Sequence, residues 1–297
     1  MSGYEVIGDW GTSRLRLYRI ELGRIAARLE GPGIGAVRRD AQAAFGQAIA
    51  PWLQDGSPAE IRLCGMVGAR DGWAEAPYAD CPADAGQWRA AALRLDWRGT
   101  PLRIMAGLAC VGADGVPDVM RGEEAQIFGA MALDPELARG RHLIVLPGTH
   151  NKWSLVEDGR VVGFRTVPTG ELFALLRDST LGPGTVATDP AEEAAGFAHG
   201  LERGGEGHLL TTLFAARSLR LRAGRTADWS LGYLSGLLIG CEIADVRATL
   251  GEARDMLLIG DQRLTDRYTQ ALAAQGLTTR TLDGDRCVCA GLGVVGG

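Results

Sequence analysis

Lysine is nearly absent from this chain. Of the 31 basic residues, Lys152 is a lysine and the others are arginines. The formal net charge is −5 and no basic stripe is present, which argues against a nucleic-acid partner and against an anionic membrane surface. A chain that uses arginine elsewhere and keeps one amine has a compact point charge at that position, which suits a phosphate group.

Long apolar runs, metal-ligand clusters and targeting signals are also missing. The most apolar window, residues 231–244, is interrupted by Glu242 and is too short to cross a bilayer. The N-terminus leads into a strand pattern without a signal-peptide pattern, so we expect a cytoplasmic protein. Six cysteines without a Cys-x-x-Cys pair and four histidines give no zinc-site spacing, so reduced and mostly buried thiols are expected.

A strand, a glycine turn and a second strand follow one another at two places in the chain. Residues 6–9 form a strand pattern that ends at the turn 11–13, and residues 143–146 form one that ends at the turn 148–150. Such turns place backbone N–H groups and short hydroxyls around an anion. The repeat predicts a duplicated hairpin that opens each half of the chain, with the two hairpins holding a polyphosphate from both sides.

The order of the predicted elements also repeats. In each half a meander of strands is followed by alternating strands and helices, which is typical of an α/β protein with a nucleotide cleft between its halves. A polar connection at residues 134–140 separates the halves. We therefore predict an N-terminal domain over residues 1–134 and a C-terminal domain over residues 135–297.

Asp9 is the carboxylate placed beside the first turn. Mg²⁺ needs a hard oxygen ligand, so Asp9 is predicted to organise the metal, and an Asp that only stabilises the turn is the alternative. The predicted phosphate contacts are Gly11, Thr12, Ser13 and Arg14 from the first turn and Gly148, Thr149, His150 and Lys152 from the second. Neither turn is a Walker motif, since Gly-x-x-x-x-Gly-Lys-Ser/Thr does not occur.

Phosphoryl transfer also needs an acceptor for the proton of the nucleophile. The sequence offers Asp9, Glu124 and Glu171, with His150 as a further alternative. Glu124 falls in the first turn of a predicted helix, where an acid commonly complements the helix dipole, so a structural role is equally open for it.

A glycine-rich loop at residues 65–78 follows another predicted strand, where open α/β sheets bind ligands. We predict that this loop and Trp73 within it contact the substrate, and that Arg70 or Arg14 holds a substrate carboxylate. An ordinary surface loop closed by glycines is the alternative. Gly260, after the buried strand 256–259, is by itself a weak nucleotide signal.

These motifs occur together in an order that is characteristic of one family. They are Asp9-x-Gly-Thr-Ser-x-x-Arg, the 65–73 loop with Glu75-Ala76-Pro77-Tyr78 and Cys81-Pro82, Arg121-Gly122-Glu123-Glu124, Leu146-Pro147-Gly148-Thr149-His150-Asn151-Lys152-Trp153, and Thr169-Gly170-Glu171-Leu172-Phe173. Over essentially its whole length the chain resembles the 2-dehydro-3-deoxygalactonokinase family, within the sugar kinase/actin/Hsp70 superfamily.

The resemblance implies two ribonuclease-H-like domains, with mixed sheets flanked by helices, around ATP. It implies phosphorylation of the terminal hydroxyl of 2-dehydro-3-deoxy-D-galactonate, in the degradation of galactonate. By this likeness residues 8–14 and the Gly148 hairpin are the two phosphate loops, and residues 258–261, with Gly260, are the adenosine segment. Glu124 is similar to the catalytic carboxylate of the exopolyphosphatase branch of the superfamily.

Three functions remain open from the sequence. The first is a kinase of a small sugar acid that uses ATP and Mg²⁺, with Asp9, Glu124 and Lys152 as its catalytic residues. The second is an exopolyphosphatase-like or nucleotide phosphohydrolase on the same fold, although such an enzyme has no need of an elaborate 65–78 loop. The third is a sugar-sensing module without catalysis. The sequence leaves a homodimer open.

Overall fold

The computed structural model describes residues 3–184, 188–250 and 255–294. Its strands are, in chain order, β1 (Glu5–Trp10), β2 (Arg14–Glu21), β3 (Arg24–Pro32), β4 (Ile61–Cys64), β5 (Tyr78–Asp80), β6 (Leu93–Trp97), β7 (Thr100–Ile104), β8 (Gly107–Val111), β9 (Pro117–Met120), β10 (Arg141–Leu146), β11 (Asn151–Glu157), β12 (Arg160–Val167), β13 (Asp255–Gly260) and β14 (Thr278–Asp283). Its helices are α1 (Ile34–Val37), α2 (Ala41–Ala48), α3 (Ala50–Leu53), α4 (Ala85–Ala90), α5 (Glu123–Leu133), α6 (Thr169–Arg177), α7 (Pro190–Gly205), α8 (Leu209–Thr212), α9 (Ala215–Ala223), α10 (Ala227–Leu250), α11 (Gln262–Ala273) and α12 (Gly284–Gly291).

The first half of the chain builds a six-stranded mixed sheet in the order β3-β2-β1-β4-β7-β6. β1 to β3 form an antiparallel meander, whereas β1, β4 and β7 run parallel. In β2 the alternation of apolar and arginine residues buries Leu15 and Leu17 and leaves Arg16 between them, opposite Asp9 of β1. The end of β1 therefore presents a carboxylate to a neighbouring guanidinium.

The second half repeats this arrangement in a five-stranded sheet with the order β12-β11-β10-β13-β14. The central strand β10 pairs in parallel with β13, as β1 pairs with β4. In both sheets the third, second and first strands of the half lie side by side, and a strand that comes after helices in the chain is added beyond the first. This repeated order confirms the predicted fold class and the predicted duplication of the opening hairpin.

The chain divides into two compact units. One contains Met1–His142, Ser154–Phe164 and Leu282–Gly297, and the other contains Leu143–Trp153 and Arg165–Thr281. The chain thus enters the second unit just before the Gly148 turn, and α12 belongs to the first unit. The predicted domain boundary after residue 134 stays a prediction.

Each unit has its own apolar core. In the first, Phe45 lies against the rings of Trp10, Trp73 and Trp97, with the Phe45 and Trp97 centroids 5.2 Å apart and edge-on. In the second, the buried residues include Trp153, Ile243, Leu258 and Tyr268. Five of the cysteines are buried and Cys81 is half-buried, and all six are free thiols, as expected from their spacing.

Glycines let α7 and α10 pack with their backbones in contact. A Cβ atom at Gly196 or Gly200 of α7 would lie about 2 Å from a carbonyl oxygen of α10, 1.9 Å and 2.1 Å respectively. Gly232 and Gly236 of α10 meet carbonyl oxygens of α7 in the same way, at 1.9 Å and 2.1 Å. The four-residue spacing of these glycines puts them on one face of each helix. Within the described ranges, no helix is long and apolar enough to cross a membrane.

Candidate active site

The first glycine turn connects β1 and β2 and is held by backbone hydrogen bonds. The Gly11 N–H donates to the Arg14 carbonyl at 2.9 Å, and the Thr12 carbonyl accepts from the Gly35 N–H at 3.0 Å. A Cβ at Gly33 would lie 2.2 Å from that same Thr12 oxygen, so only glycine fits beneath the turn. Thr12, Ser13 and Arg14 are exposed, which leaves their side chains accessible to a ligand.

Asp9, at the end of β1, is held by a cation that the sequence analysis did not assign to the site. Arg16 pairs with the Asp9 carboxylate and also with Asp285 of α12, whereas the Asp9 side chain is 14% exposed. Burial raises the pKa of Asp9, Arg16 opposes that rise, and Glu123 and Asp285 add to it. Arg16 is the arginine of the Asp-x-Gly-Thr-Ser-x-x-Arg motif, which was the signal for it. Asp285 lies 269 positions from Arg16, and no sequence motif indicated that it belongs to the site.

Glu124 lies at the start of α5 and is fully buried. Its Oε2 accepts from the Gly122 N–H at 2.7 Å, and within the described residues its Oε1 has no hydrogen-bond partner. Desolvation by burial, with the neighbouring Glu123, raises the pKa of Glu124 well above its usual value. Glu124 therefore holds its proton more strongly than an ordinary glutamate.

Asp9, Cys64 and Glu124 lie close together at the ends of neighbouring elements. The Cys64 thiol is 4.0 Å from Asp9 Oδ1, and both Asp9 and Glu124 help to raise the pKa of Cys64, after the larger effect of burial. Gly65 comes so near that a Cβ there would lie 3.0 Å from Asp9 Oδ1, and Gly122 faces the Gly65 Cα. The carboxyl ends of β1 and β4 and the start of α5 thus form one acidic corner.

The 65–78 loop places its predicted substrate residues in different surroundings. Arg70 is 88% exposed and forms a surface ion pair with Glu75 at 3.6 Å. Trp73 is half-buried and its ring lies 5.4 Å from Phe45 in the core. Arg14 lies in the other loop, on the first turn.

Arg121 fastens the end of this loop and was not singled out from the sequence. Its Nη2 donates to the Ala76 carbonyl at 2.7 Å, and its guanidinium lies 4.3 Å from the centre of the Tyr78 ring. In the described part of the chain, its buried Nε and Nη1 have no hydrogen-bond partner. Arg121 is part of the Arg121-Gly122-Glu123-Glu124 motif, in which only the acids were predicted to have a role.

The second glycine turn connects β10 and β11. The Gly148 N–H donates to Asn151 Oδ1 at 2.6 Å, and the Glu171 N–H donates to the Thr149 carbonyl at 3.0 Å. His150 Nε2 and Glu171 Oε2 are 2.6 Å apart. Thr149 and His150 are exposed, and the turn lies beside the start of α6.

Lys152 follows this turn but is only 4% exposed. Its ammonium donates to the His150 carbonyl at 3.4 Å. The single lysine is therefore tied to the backbone of the same turn that the sequence predicted to bind phosphate.

Glu242 of α10 is the buried centre of a hydrogen-bond network that the sequence analysis missed. Trp153 Nε1 donates to Oε1 at 2.6 Å, while Thr169 Oγ1 and the Tyr268 hydroxyl each donate to Oε2 at 2.6 Å. Asn151 Nδ2 donates to both oxygens, at 3.0 Å and 2.9 Å. Burial raises the pKa of Glu242 and these hydrogen bonds oppose the rise. An acid inside the apolar window 231–244 was the available signal.

A cavity of about 460 Å³ borders the second turn. It lies between α6, α10 and α11, and we call it the α10 cavity. Apolar side chains form much of its wall, with three arginines and a serine among the polar ones. Its lining includes Gly148, Phe173, Leu238, Ser235, Arg263 and Arg267. Gly260 is not part of that lining, but it lies beside Pro147, where a Cβ would meet the Pro147 carbonyl at 3.5 Å.

A match over almost the whole sequence identifies the family. The sequence model of the 2-keto-3-deoxy-galactonokinase family matches residues 9–295. The chain belongs to this family. It is 39% identical over 305 residues to "Probable 2-dehydro-3-deoxygalactonokinase DgoK1" of Rhizobium meliloti (strain 1021), which covers 98% of this chain and 96% of that protein. It is 34% identical over 288 residues to the 2-dehydro-3-deoxygalactonokinase of Escherichia coli (strain K12), over 96% of this chain and 94% of that protein.

Solved structures agree with the family and the fold. A Sinorhizobium meliloti protein assigned as a 2-dehydro-3-deoxygalactonokinase has a crystal structure that matches with a TM-score of 0.87, at 35% identity over 98% of both chains. The activator of the 2-hydroxyisocaproyl-CoA dehydratase from Clostridium difficile, solved with bound ADPNP, matches with a TM-score of 0.52. At 10% identity over 98% of this chain and 93% of that chain, the latter likeness concerns the fold alone. The recognition made from the motifs is thus confirmed.

Proposed function

We propose that this protein is an ATP-dependent kinase that phosphorylates the terminal hydroxyl of 2-dehydro-3-deoxy-D-galactonate, giving the 6-phosphate in the degradation of galactonate. The family match over residues 9–295 carries the proposal. The two exposed glycine turns, at the same place in two sheets of the same strand order, are the phosphate-binding features that such a reaction needs.

In this proposal each turn is a phosphate-binding loop of its own unit. Backbone N–H groups and the exposed hydroxyls of Thr12, Ser13 and Thr149 act as donors, while Lys152 supplies positive charge to the turn that contains His150. Because phosphoryl transfer depends on positioning and charge neutralisation, rigid turns suit it.

The adenosine part of ATP fits the α10 cavity. Its volume of about 460 Å³ and its apolar wall suit an aromatic base, and it begins at Gly148, next to the turn that would hold the phosphates. Gly260, at the end of β13 beside Pro147, remains a proposed contact of the adenosine.

Asp9 is the residue proposed to hold Mg²⁺. In the part of the chain that the structure describes, no group of three His, Cys, Asp or Glu side chains could hold a metal ion. A single carboxylate nevertheless fits Mg²⁺, which commonly binds one or two carboxylates and completes its shell with waters and substrate phosphates. When bound, the ion would neutralise phosphate charge, and Arg16 would hold Asp9 in position from the opposite side.

Glu124 is the proposed acceptor of the proton from the substrate hydroxyl, and Asp9 is the alternative. A general base works best when its pKa lies near the working pH, and burial moves the pKa of Glu124 in that direction. Since Glu124 is fully buried, the substrate must reach it by displacing the groups that now cover it. Arg14, Arg70 and Trp73 remain the residues proposed to contact the sugar acid.

The phosphohydrolase alternative gains no support, because the family and both curated relatives carry the name of a kinase. We further propose that the enzyme is cytoplasmic and has no nucleic-acid or membrane partner. A homodimer is compatible with this proposal. The test is ADP release from ATP and Mg²⁺ with a panel of 2-keto-3-deoxy sugar acids. We expect release to depend on the sugar acid, and equal release without it would contradict the kinase.

A further inference from the structure

The orientation of the Asn151 side chain links the buried Glu242 to the second glycine turn. An amide can present either its oxygen or its NH₂ group to a neighbour, and the hydrogen-bond partners decide which. Glu242 accepts on both of its oxygens, so the NH₂ group of Asn151 must face it. Asn151 Oδ1 then faces Gly148, where it accepts the Gly148 N–H at 2.6 Å.

The same carboxylate also holds the start of α6, which lies against the turn. Thr169 donates to Glu242 at 2.6 Å, and the neighbouring Gly170 is so close to the turn that a Cβ would lie 2.2 Å from the Gly148 carbonyl. Trp153 and Tyr268 complete the set of donors from two further elements. One buried group thus determines where both sides of the second turn lie.

We propose that Glu242 is a positioning residue for ATP: through Asn151 it fixes the second glycine turn in the conformation that binds phosphate, an inference that rests on the proposed kinase function. Glu242 does not touch the ligand itself. It keeps the exposed residues Thr149 and His150 of the turn in one orientation before ATP arrives, which lowers the entropy cost of binding.

The substitution Glu242→Gln tests this role with little change in volume. A glutamine can still accept from Trp153, and its NH₂ group can donate to the hydroxyls of Thr169 and Tyr268. That NH₂ group then meets the NH₂ group of Asn151, whose orientation is no longer fixed. We expect the KM for ATP to rise about tenfold, while the KM for the sugar acid changes by less than about twofold.

A reciprocal exchange distinguishes positioning from general stability. In Asn151→Asp two carboxylates face each other, so the KM for ATP should rise further than in Glu242→Gln. In the double variant Asn151→Asp/Glu242→Gln the glutamine NH₂ group donates to the aspartate, which also accepts the Gly148 N–H. Most of the ATP affinity should therefore return. Ser230→Ala is the control, since Ser230 is a buried residue of α10 whose hydroxyl donates to the Ala216 carbonyl at 2.7 Å, away from the turn.

Two outcomes overturn the inference while the kinase function stands. One is an unchanged KM for ATP in both single variants. The other is an equal rise in both KM values that Ser230→Ala reproduces and the double variant does not reverse. If the wild-type protein forms no ADP with the sugar acid, the proposed function fails instead. Calorimetric titration of ATP into the same four variants then still tests the positioning of the turn.

Discussion

Arg16 donates to Asp9 and to Asp285, so one guanidinium partly neutralises two acids at the end of β1. Such an arrangement fixes the direction of the Asp9 carboxylate without removing its charge, because the cation is shared. A metal-organising carboxylate benefits from this, since its position does not have to be set when the metal arrives.

Replacing Asp9 by Asn should reduce kcat by about 100-fold or more, because the amide keeps the shape and loses the charge that is proposed to organise Mg²⁺. Steady-state kinetics at saturating ATP, Mg²⁺ and sugar acid measure the change. Asp55→Asn is the matched control: Asp55 also pairs with an arginine of β2, Arg19, but it is 61% exposed and on the surface. A kcat for Asp9→Asn equal to that of the control would remove Asp9 from the mechanism.

Lys152→Met should impair the use of ATP more than the binding of the sugar acid. Methionine retains much of the length of the buried stem but carries no charge near the turn. We expect a higher KM for ATP and a lower kcat, with a smaller change in the KM for the sugar acid. Lys152→Arg is the companion variant, since it restores the charge in a different shape. Unchanged ATP kinetics in Lys152→Met would end the assignment to phosphate.

Glu124 makes the stability of the fold depend on pH. Its pKa is raised by burial from the usual value of 4.5, so the unfolded chain releases this proton at a lower pH than the folded protein. The folded state therefore loses stability relative to Glu124→Gln as pH rises above about 4.5, by at most about 1.4 kcal/mol per pH unit. Urea unfolding of both proteins at about pH 5 and about pH 8 measures the difference, and an equal difference at both values would contradict the raised pKa.

The sequence allowed the residues of both turns to be identified because each turn is local in the chain. Asp9, Thr12 and Gly148 lie where a strand pattern meets a glycine, and the structure places them there. The buried hydrogen-bond networks could not be predicted from the sequence, because their members are far apart in the chain. Asn151 and Glu242 are 91 positions apart, and nothing in the local pattern of either shows that they meet.

The pairing of α7 with α10 is the element-scale feature that depends most on glycine. Gly200 of α7 faces Tyr233 of α10, and a Cβ atom at Gly200 would lie 2.1 Å from the Tyr233 carbonyl oxygen. α10 also carries Glu242 and borders the α10 cavity, so the close contact with α7 sets the position of both. A change in this contact should reach the second glycine turn through α10.

Gly200→Ala should destabilise the protein by about 1–3 kcal/mol or more, because the added methyl group forces two backbones apart. Gly205→Ala, in the same helix, is the control, since a Cβ there meets no heavy atom within 4 Å. Without a clash, alanine should be neutral or stabilise by about 0.4–1 kcal/mol. Urea unfolding separates the two, and equal stabilities would show that α7 and α10 pack less tightly than described.

The elements themselves were predicted unevenly. The meander β1–β3 and the helical region α7–α10 agree with the sequence patterns, because their periodicity extends over many residues. The small sheet β5-β8-β9 was missed, since its strands have three to five residues each and β5 pairs with β8 across α4, β6 and β7. Residues 40–53, whose apolar positions have helical periodicity, form two helices, α2 and α3, which are divided at Ile49.

At the scale of the whole molecule, the two sheets repeat one strand order with different sequences. The turn after the first strand of each half begins with a glycine and continues with exposed residues, and it is the feature that the two halves share. Around this shared feature the halves have specialised: the first carries the acidic corner of Asp9 and Glu124, and the second carries Lys152, Glu242 and the α10 cavity. The acids proposed for the transfer thus belong to the first unit, and the groups proposed to bind the adenosine belong to the second.

The transfer of phosphate from ATP to the sugar acid is the central claim, and phosphorus NMR of the complete reaction tests it most directly. The protein would be incubated with ATP, Mg²⁺ and 2-dehydro-3-deoxy-D-galactonate until ADP has accumulated. We predict one equivalent of a sugar-acid monoester phosphate, on the terminal hydroxyl, for each ADP formed. Inorganic phosphate in place of the monoester, or no turnover of ATP, would contradict the account.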